Sequence, residues 1–255
     1  MIDPNKVMLM CRSRHGTNAN GFTSGLVTSM GSGLINAFAF LEGCSDPALA
    51  ANLVFHAFLQ MRSHTHLLMV DDDIEFAARD VALMLGVPWR EDLWGERPAP
   101  LPPDNATRDE QGDPLIVVGE YSSRTDAPKK WRRDLGFGFV LIARAALERM
   151  ISATRSDSGA PLLGTFSHED ASTVYHFCPA GPNFEGHWVT EDHGFYYVGM
   201  LAGIVSRIER HVRLGHRGTK IYRLPPYSAS SGDAAASSPS RFPDYPVSVG
   251  VNASD

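Results

Sequence analysis

The chain has 255 residues, 43% of them hydrophobic, and its 29 acidic side chains against 23 Lys and Arg leave a net charge of −6. That apolar content suits one large α/β domain, with or without a tail, and the acidic balance excludes a global nucleic-acid footprint while allowing a local basic patch. Three cysteines, Cys11, Cys44 and Cys178, lie far apart with no CxxC pair, so they indicate neither a zinc ribbon nor a disulfide framework and point to a reducing, cytoplasmic setting.

Met1-Ile2-Asp3-Pro4 lacks a basic region followed by a long apolar stretch, so no signal peptide is expected. No run approaches the ~20 apolar residues of a membrane span. The sequons at Asn105 and Asn252 read as chance matches in such a chain. Lys6 to Cys11 is the first expected strand, entering the polar stretch Arg12 to Gly21. Nucleotide-binding α/β folds place a base or phosphate at such a strand-to-loop junction. Neither GxGxxG nor GxxxxGK[ST] occurs, so the dinucleotide fingerprint and the P-loop are both ruled out. Phe22 to Met30 follows as helix or loop, and Leu34 to Leu41 as a second strand. Ser45-Asp46-Pro47 caps a helix over Ala48 to Met61, with proline at its first position. Asn52 and His56 lie one turn apart on it.

The most informative stretch is His66 to Phe76. Leu67 to Val70 reads as a strand buried on both faces, which suits a parallel sheet covered by helices. It ends in Asp71-Asp72-Asp73. Three adjacent carboxylates repel one another, and partly buried they are costly unless neutralised. A divalent cation on hard oxygen ligands answers that cost; the plainer alternative is a solvated acidic turn or an N-cap for the helix Ala77 to Leu85. Ligands in open α/β sheets bind outside the carboxyl ends of the strands, where these acids stand.

Gly86 to Pro114, rich in Pro, Trp, Asp and Arg, reads as a long loop. Leu115 to Val118 is a further strand. Lys129-Lys130-Trp131-Arg132-Arg133 is the densest basic cluster; it is either a solvated loop or a phosphate or nucleic-acid contact helped by Trp131. Leu135 to Arg144 is an apolar strand entered through glycines, followed by a helix over Ala145 to Ser152 and a turn over Ser156 to Leu163. Glu191-Asp192 opens a helix reaching about Ala202, where acids also suit the helix dipole. Gly203 to Glu209 reads as a strand, and Arg210 to Gly218 as a basic, histidine-bearing segment. After Pro225 the composition turns to Ser, Ala, Pro and Gly. One catalytic domain over 1–227 with a tail or strap over 228–255 is therefore expected.

Taken in order, four motifs resemble glycosyltransferases of the GT-A fold, across roughly residues 6 to 222. Asp71-Asp72-Asp73 looks like the DxD. Gly136-Phe137-Gly138-Phe139-Val140-Leu141-Ile142-Ala143-Arg144 resembles the glycine-entered strand on the acceptor side. Glu191-Asp192 with Phe195 is similar to the acidic helix start beside the reacting sugar, and His216-Arg217-Gly218 with Tyr222 to the C-terminal H-x-G. The resemblance implies a mixed, mostly parallel sheet flanked by helices, with a Rossmann-like nucleotide-binding half and an acceptor half. It also implies a UDP- or GDP-linked sugar donor and a Mn²⁺ or Mg²⁺ cofactor. Asp73 would be the main metal ligand, His216 a third, and Asp71 a contact to ribose or metal. Cys11 and Arg12 would lie near the base and Asn52 near the diphosphate. Asp72 and Arg124, the latter where related sequences often carry lysine, complete the donor-side residues.

The chemistry follows independently of the family. A nucleoside-diphosphate leaving group develops negative charge that a divalent ion between phosphate oxygens and Asp71/Asp73 would stabilise. One imidazole shifts the metal preference towards Mn²⁺. The acceptor hydroxyl must lose its proton, with Asp192 or Glu191 as general base, which in this family usually implies inversion. The acceptor stays open: a glycan, a lipid-linked sugar, a protein, or a hydroxylated base in DNA gripped by Lys129–Arg133 and Arg207–Arg217. Three other readings remain. One is a non-catalytic sugar- or nucleotide-binding module of the same fold. Another is a nucleotidyl transferase. The third is a non-haem iron oxygenase using His168, Glu169, Asp170 and His216 with Arg223 for a carboxylate co-substrate, although that fold is a β-sandwich.

Overall fold

The computed structural model describes residues 1–13, 20–120, 136–156, 158–168, 171–182, 188–217 and 221–222. Its strands are β1 (Val7–Ser13), β2 (Ala37–Glu42), β3 (His66–Asp71), β4 (Ile74–Glu75), β5 (Ile116–Gly119), β6 (Phe139–Ala143), β7 (Thr165–His168), β8 (Ala171–Tyr175), β9 (Gly181–Pro182), β10 (Trp188–Val189), β11 (Arg207–Glu209), β12 (Gly215–Arg217) and β13 (Ile221–Tyr222). Its helices are α1 (Asn20–Gly31), α2 (Pro47–Gln60), α3 (Ala78–Leu85), α4 (Glu91–Trp94), α5 (Arg144–Ser152) and α6 (Glu191–Leu201).

Six strands form the central sheet in the order β11-β5-β6-β3-β1-β2. The pairs β1–β2, β1–β3 and β5–β11 are parallel, and β6 runs antiparallel to both its neighbours, β3 and β5. This is a mixed α/β fold with a mostly parallel sheet flanked by helices, consistent with the GT-A-like expectation. Side chains alternate faces along a strand, and each central strand divides its apolar residues accordingly. Met8, Met10, Leu67, Met69, Val140 and Ile142 enter one core with α2, α5 and α6. Val7, Leu9, Leu68, Val70, Phe139 and Leu141 enter the other, with α1 and α3. A sheet buried on both faces explains why these strands read as continuous apolar runs rather than alternating ones.

Local signals set most helix limits. The Asp46 carboxylate accepts from the N–H groups of Ala48 and Leu49 at 2.8 and 3.0 Å, with Pro47 opening α2. Ala51, Val54, Phe55 and Phe58 then form its buried stripe. At the other end, the Arg144 guanidinium donates to the carbonyls of Phe58, Leu59, Met61 and His64, satisfying acceptors the helix leaves over. One limit differs from the sequence expectation: the second strand starts at Ala37, not Leu34. Gly33 adopts a left-handed conformation (φ +70°), and Leu34 N–H bonds back to Ser29 O at 2.9 Å. Leu34 and Ile35 therefore close the end of α1 as apolar cap residues. Likewise the last expected strand begins at Arg207, because Gly203 to Ser206 close the end of α6 and turn.

Three small pairings go beyond the sequence reading: the β7–β8 and β9–β10 hairpins, and a three-stranded sheet β13-β12-β4. The last matters for the site, because β12 carries His216 and pairs with Ile74 just after the acidic run. Asp80 fastens it. This buried carboxylate accepts from Ala77 N–H at the start of α3 and, at 2.8 Å, from Arg213 N–H in the approach to β12. The basic cluster Lys129–Arg133, Arg124 and the segment 228–255 lie outside the described residues. Among the described residues, no helix is long and apolar enough to cross a membrane.

Burial pushes the Asp80 carboxyl above its ordinary range, against the opposing pull of its two N–H donors. A folded-state pKa above the unfolded value, about 3.9, means that the folded chain binds this proton more tightly. The group's contribution is then greatest below that value and is lost as pH rises through the raised one. The unfolding free energy of the wild type minus that of Asp80→Asn should therefore fall as pH rises above about 4 in urea titrations. A flat or rising difference would show that the carboxyl is not raised.

Candidate active site

The carboxyl ends of β1 and β3 lie side by side, and their parallel register sets Arg12 against Asp71. Both side chains point to the face covered by α2 and α6. Arg12 Nε and Nη2 donate to Asp71 Oδ1 at 3.1 and 2.9 Å, while Nη1 donates to Glu191 Oε1 at 3.3 Å and to Pro47 O at 3.2 Å. The guanidinium also lies 5.3 Å from the centre of the Phe137 ring. One cation thus joins the acid that ends β3 to the acid that opens α6. Its side chain is 11% exposed, with Asp71 at 27% and Glu191 at 18%. Burial alone would weaken the Arg12 charge, but Asp71 and then Glu191 outweigh it and hold its pKa above the usual value.

The strand pleat deals the three acids to three different partners. Asp71 takes Arg12. Asp72, on the opposite side, accepts from Ser13 Oγ at 2.7 Å. Asp73 lies beyond the strand, in the turn to β4, where its carbonyl accepts from Arg217 N–H at 2.9 Å and Oδ2 stands 3.7 Å from His216 Nε2. The expected proximity of Asp73 and His216 is therefore present. Gly138, from the glycine-entered segment before β6, supplies the carbonyl that accepts from Asp71 N–H at 3.1 Å.

Helix α6 is held by its aromatic face. Phe195 is fully buried, stacked on Phe55 at 5.0 Å and against Phe137 at 5.1 Å. Glu191, four residues earlier, lies on the same face of the helix and so reaches Arg12. Gly194 permits the fit: a Cβ there would stand 1.9 Å from Pro179 O. Asp192 turns the other way, its Oδ1 accepting from the Thr190 hydroxyl and, at 2.8 Å, from His193 N–H. No donor reaches its Oδ2 among the described residues.

Two expected donor-side residues sit deeper than their implied roles suggest. Cys11 is fully buried in the α1/α3 core, its thiol donating to Arg12 O. Burial, with Asp72 and Asp71 close by, pushes that thiol far up, so a nucleotide there would meet backbone rather than a reactive sulfur. Asn52 is buried on α2, and its Oδ1 accepts from Cys178 N–H at 3.1 Å. Of the expected basic surface, Arg207 is already paired with Glu209 at 2.6 Å and with Asp104 at 3.7 Å. His168 ends β7, while Glu169, Asp170 and Arg223 of the oxygenase alternative lie outside the described residues. The mostly parallel α/β sheet runs against that alternative's β-sandwich. Sequence reading missed the role of Ser13 and the bridging role of Arg12, since neither partner is near in the chain.

As a metal pocket, the donor set fits in part. A carboxylate and an imidazole 3.7 Å apart suit adjacent positions on a divalent ion. Among the described residues, no three His, Cys, Asp or Glu side chains converge to cage an ion. Phosphate oxygens of a substrate would have to complete the shell, as they commonly do for Mg²⁺.

Arg12→Ala would leave Asp71 and Glu191 facing each other without a cation. It should lower unfolding free energy by about 2–3 kcal/mol, less than for a fully buried pair because both acids keep some solvent. Arg12→Lys, lacking the planar fork, should recover only part of that loss. A wild-type urea midpoint for Arg12→Ala would show that the ion pairs do not hold β3 to α6. Gly194→Ala should cost about 1–3 kcal/mol by displacing α6 from Pro179. Gly31→Ala, with nothing within 4 Å of the added carbon, serves as the control with an unchanged melting temperature.

No family model and no curated protein matches the chain. Among solved structures it is similar to A197 from STIV, at 14% identity and a TM-score of 0.45 over 88% of this chain and 96% of that one. It is also similar to a glycosyltransferase involved in the glycosylation of the major capsid of PBCV-1, at 12% identity and a TM-score of 0.32 over 56% of this chain and 62% of that one. At such values the function is argued from the chain's own residues.

Proposed function

We propose that this protein is a glycosyltransferase that moves a sugar from a nucleoside-diphosphate donor, UDP- or GDP-linked, to a hydroxyl acceptor. The observation that carries this reading is the Arg12 bridge between Asp71 and Glu191. It brings the acidic end of β3 and the acidic start of α6 to one edge of the sheet, the edge where α/β folds bind ligands. Supporting it, the Gly138 carbonyl accepts from Asp71 N–H, and His216 stands 3.7 Å from Asp73, two residues beyond Asp71.

The donor would lie across the ends of β1 and β3, with its diphosphate towards Asp73 and His216. A bound Mn²⁺ or Mg²⁺ would neutralise charge on the departing diphosphate. Asp73 and His216 would hold that ion. Asp71, whose Oδ1 is engaged by Arg12, would use its second oxygen towards ribose or metal, while Ser13 fixes the Asp72 carboxylate on the opposite side of the strand. Arg12 keeps Glu191 directed at the donor side. That leaves Asp192 as general base, oriented through Oδ1 by Thr190 and His193 and free to take the acceptor proton on Oδ2. Attack assisted from that side displaces the diphosphate in one step and inverts the anomeric centre.

Thermal shift with Mn²⁺ and a panel of UDP, GDP and CMP tests the donor half. A ligand at about 100 times its Kd stabilises the folded state by about 2.7 kcal/mol, a shift of several degrees for a chain of this size. Asp73→Ala should abolish the metal-dependent shift, and an undiminished shift would remove Asp73 from the donor site. Asp192→Asn should retain the shift and lose about 10²- to 10⁴-fold in kcat with the identified donor. Retained turnover would pass the base role to Glu191.

A further inference from the structure

Trp188 is 73% exposed, a condition unusual for the largest apolar side chain. It stands three residues before the acidic start of α6, in β10, held by pairing of Trp188 with Pro182 and Val189 with Gly181. The backbone stays extended through Thr190 (φ −79°, ψ 164°). Side chains at alternate positions of an extended segment share a face, about 7 Å apart. Trp188 and Thr190 therefore project to the same side. The Thr190 hydroxyl on that side bonds to Asp192 Oδ1 and lies 2.9 Å from His193 Nδ1. The indole is thus a flat apolar surface on the same side as the hydroxyl that orients the proposed base and about 7 Å along the strand from it, a spacing close to the span of one pyranose ring.

From this geometry we infer that Trp188 is the stacking platform for the acceptor, and that the acceptor is an uncharged carbohydrate. The inference rests on the transferase reading above and specifies its second substrate. The apolar C–H face of a pyranose would lie on the indole, with one hydroxyl directed at Asp192 Oδ2. Charge selects the class. Among the described residues, the ionisable groups that follow the platform in the chain are Glu191, Asp192 and His193, and the cation that meets Glu191, Arg12, is shared with Asp71. A phosphate-bearing polymer would bring like charge against two carboxylates, whereas a neutral glycan would not. Arg207, from the expected polyanion surface, is likewise committed to Glu209 and Asp104.

The full chain labelled with 5-fluorotryptophan gives one ¹⁹F signal for each of its 4 tryptophans, and Trp188→Phe assigns that of Trp188. Neutral trisaccharides of glucose, galactose, mannose, xylose and N-acetylglucosamine are titrated without donor, beside a thymidine octanucleotide. At least one trisaccharide should move the Trp188 signal saturably and leave the other three in place. By calorimetry, Trp188→Ala should bind that sugar roughly tenfold more weakly than the wild type does, while its melting temperature and its nucleotide shift with Mn²⁺ stay those of the wild type. Movement by the octanucleotide alone, or by none of the probes, overturns the inference. No sugar response in the wild type, with the nucleotide shift intact, counts against Trp188 only. A sugar response without any metal-dependent nucleotide shift counts instead against the transferase reading.

Discussion

A guanidinium with 11% of its side chain exposed survives in a protein interior only where anions repay its lost hydration. Arg12 has two, and the rest of the site is arranged by that requirement. Its forked donors fix Asp71 with two bonds to one oxygen and reach Glu191 with a third. Because Asp71 ends β3 and Glu191 starts α6, the charge pairing also fixes how the sheet edge and the helix meet. Phe137 below the guanidinium, and Phe195 packed against Phe137 and Phe55, supply the apolar floor that excludes water from the pairs.

The consecutive acids illustrate how a strand end divides labour. Three carboxylates in a row would repel one another if they shared one surface. The pleat sends Asp71 and Asp72 to opposite sides, and the turn into β4 carries Asp73 away from both. Each then meets a different group: a guanidinium, a hydroxyl, and an imidazole. The arrangement spreads negative charge along the sheet edge and sets Asp73 beside His216. The His216 side of this pair depends on a short secondary sheet, which the buried Asp80 carboxylate ties to α3 through Arg213.

Among the described residues, Arg12 is already shared between two acids, which leaves this edge with surplus negative charge. Trp188 offers the complementary feature, a large uncharged and exposed surface in the strand that leads into α6.

Much of this was legible from residue order alone. Two-face burial of Leu67 to Val70, the Asp46-Pro47 cap of α2, and the acids placed at the ends of β3 and the start of α6 depend on local rules of period, capping and helix polarity. The motif order placed Asp73 and His216 in one site although 143 positions, 216 minus 73, separate them. Other features had no local signature. That β6 is antiparallel depends on which strands neighbour it, and Leu34 and Ile35 look as strand-like as the residues that follow. The Arg12–Asp71 pair exists because β1 and β3 are adjacent in one register, and a shift of one residue would turn the two side chains to opposite faces. Whether Arg12 contacts a base, a phosphate or two carboxylates is a question of what stands across from it. Only the packed sheet and the docked α6 decide that, because charge pairing acts through space, whereas sequence patterns report chiefly what lies within a turn or a strand.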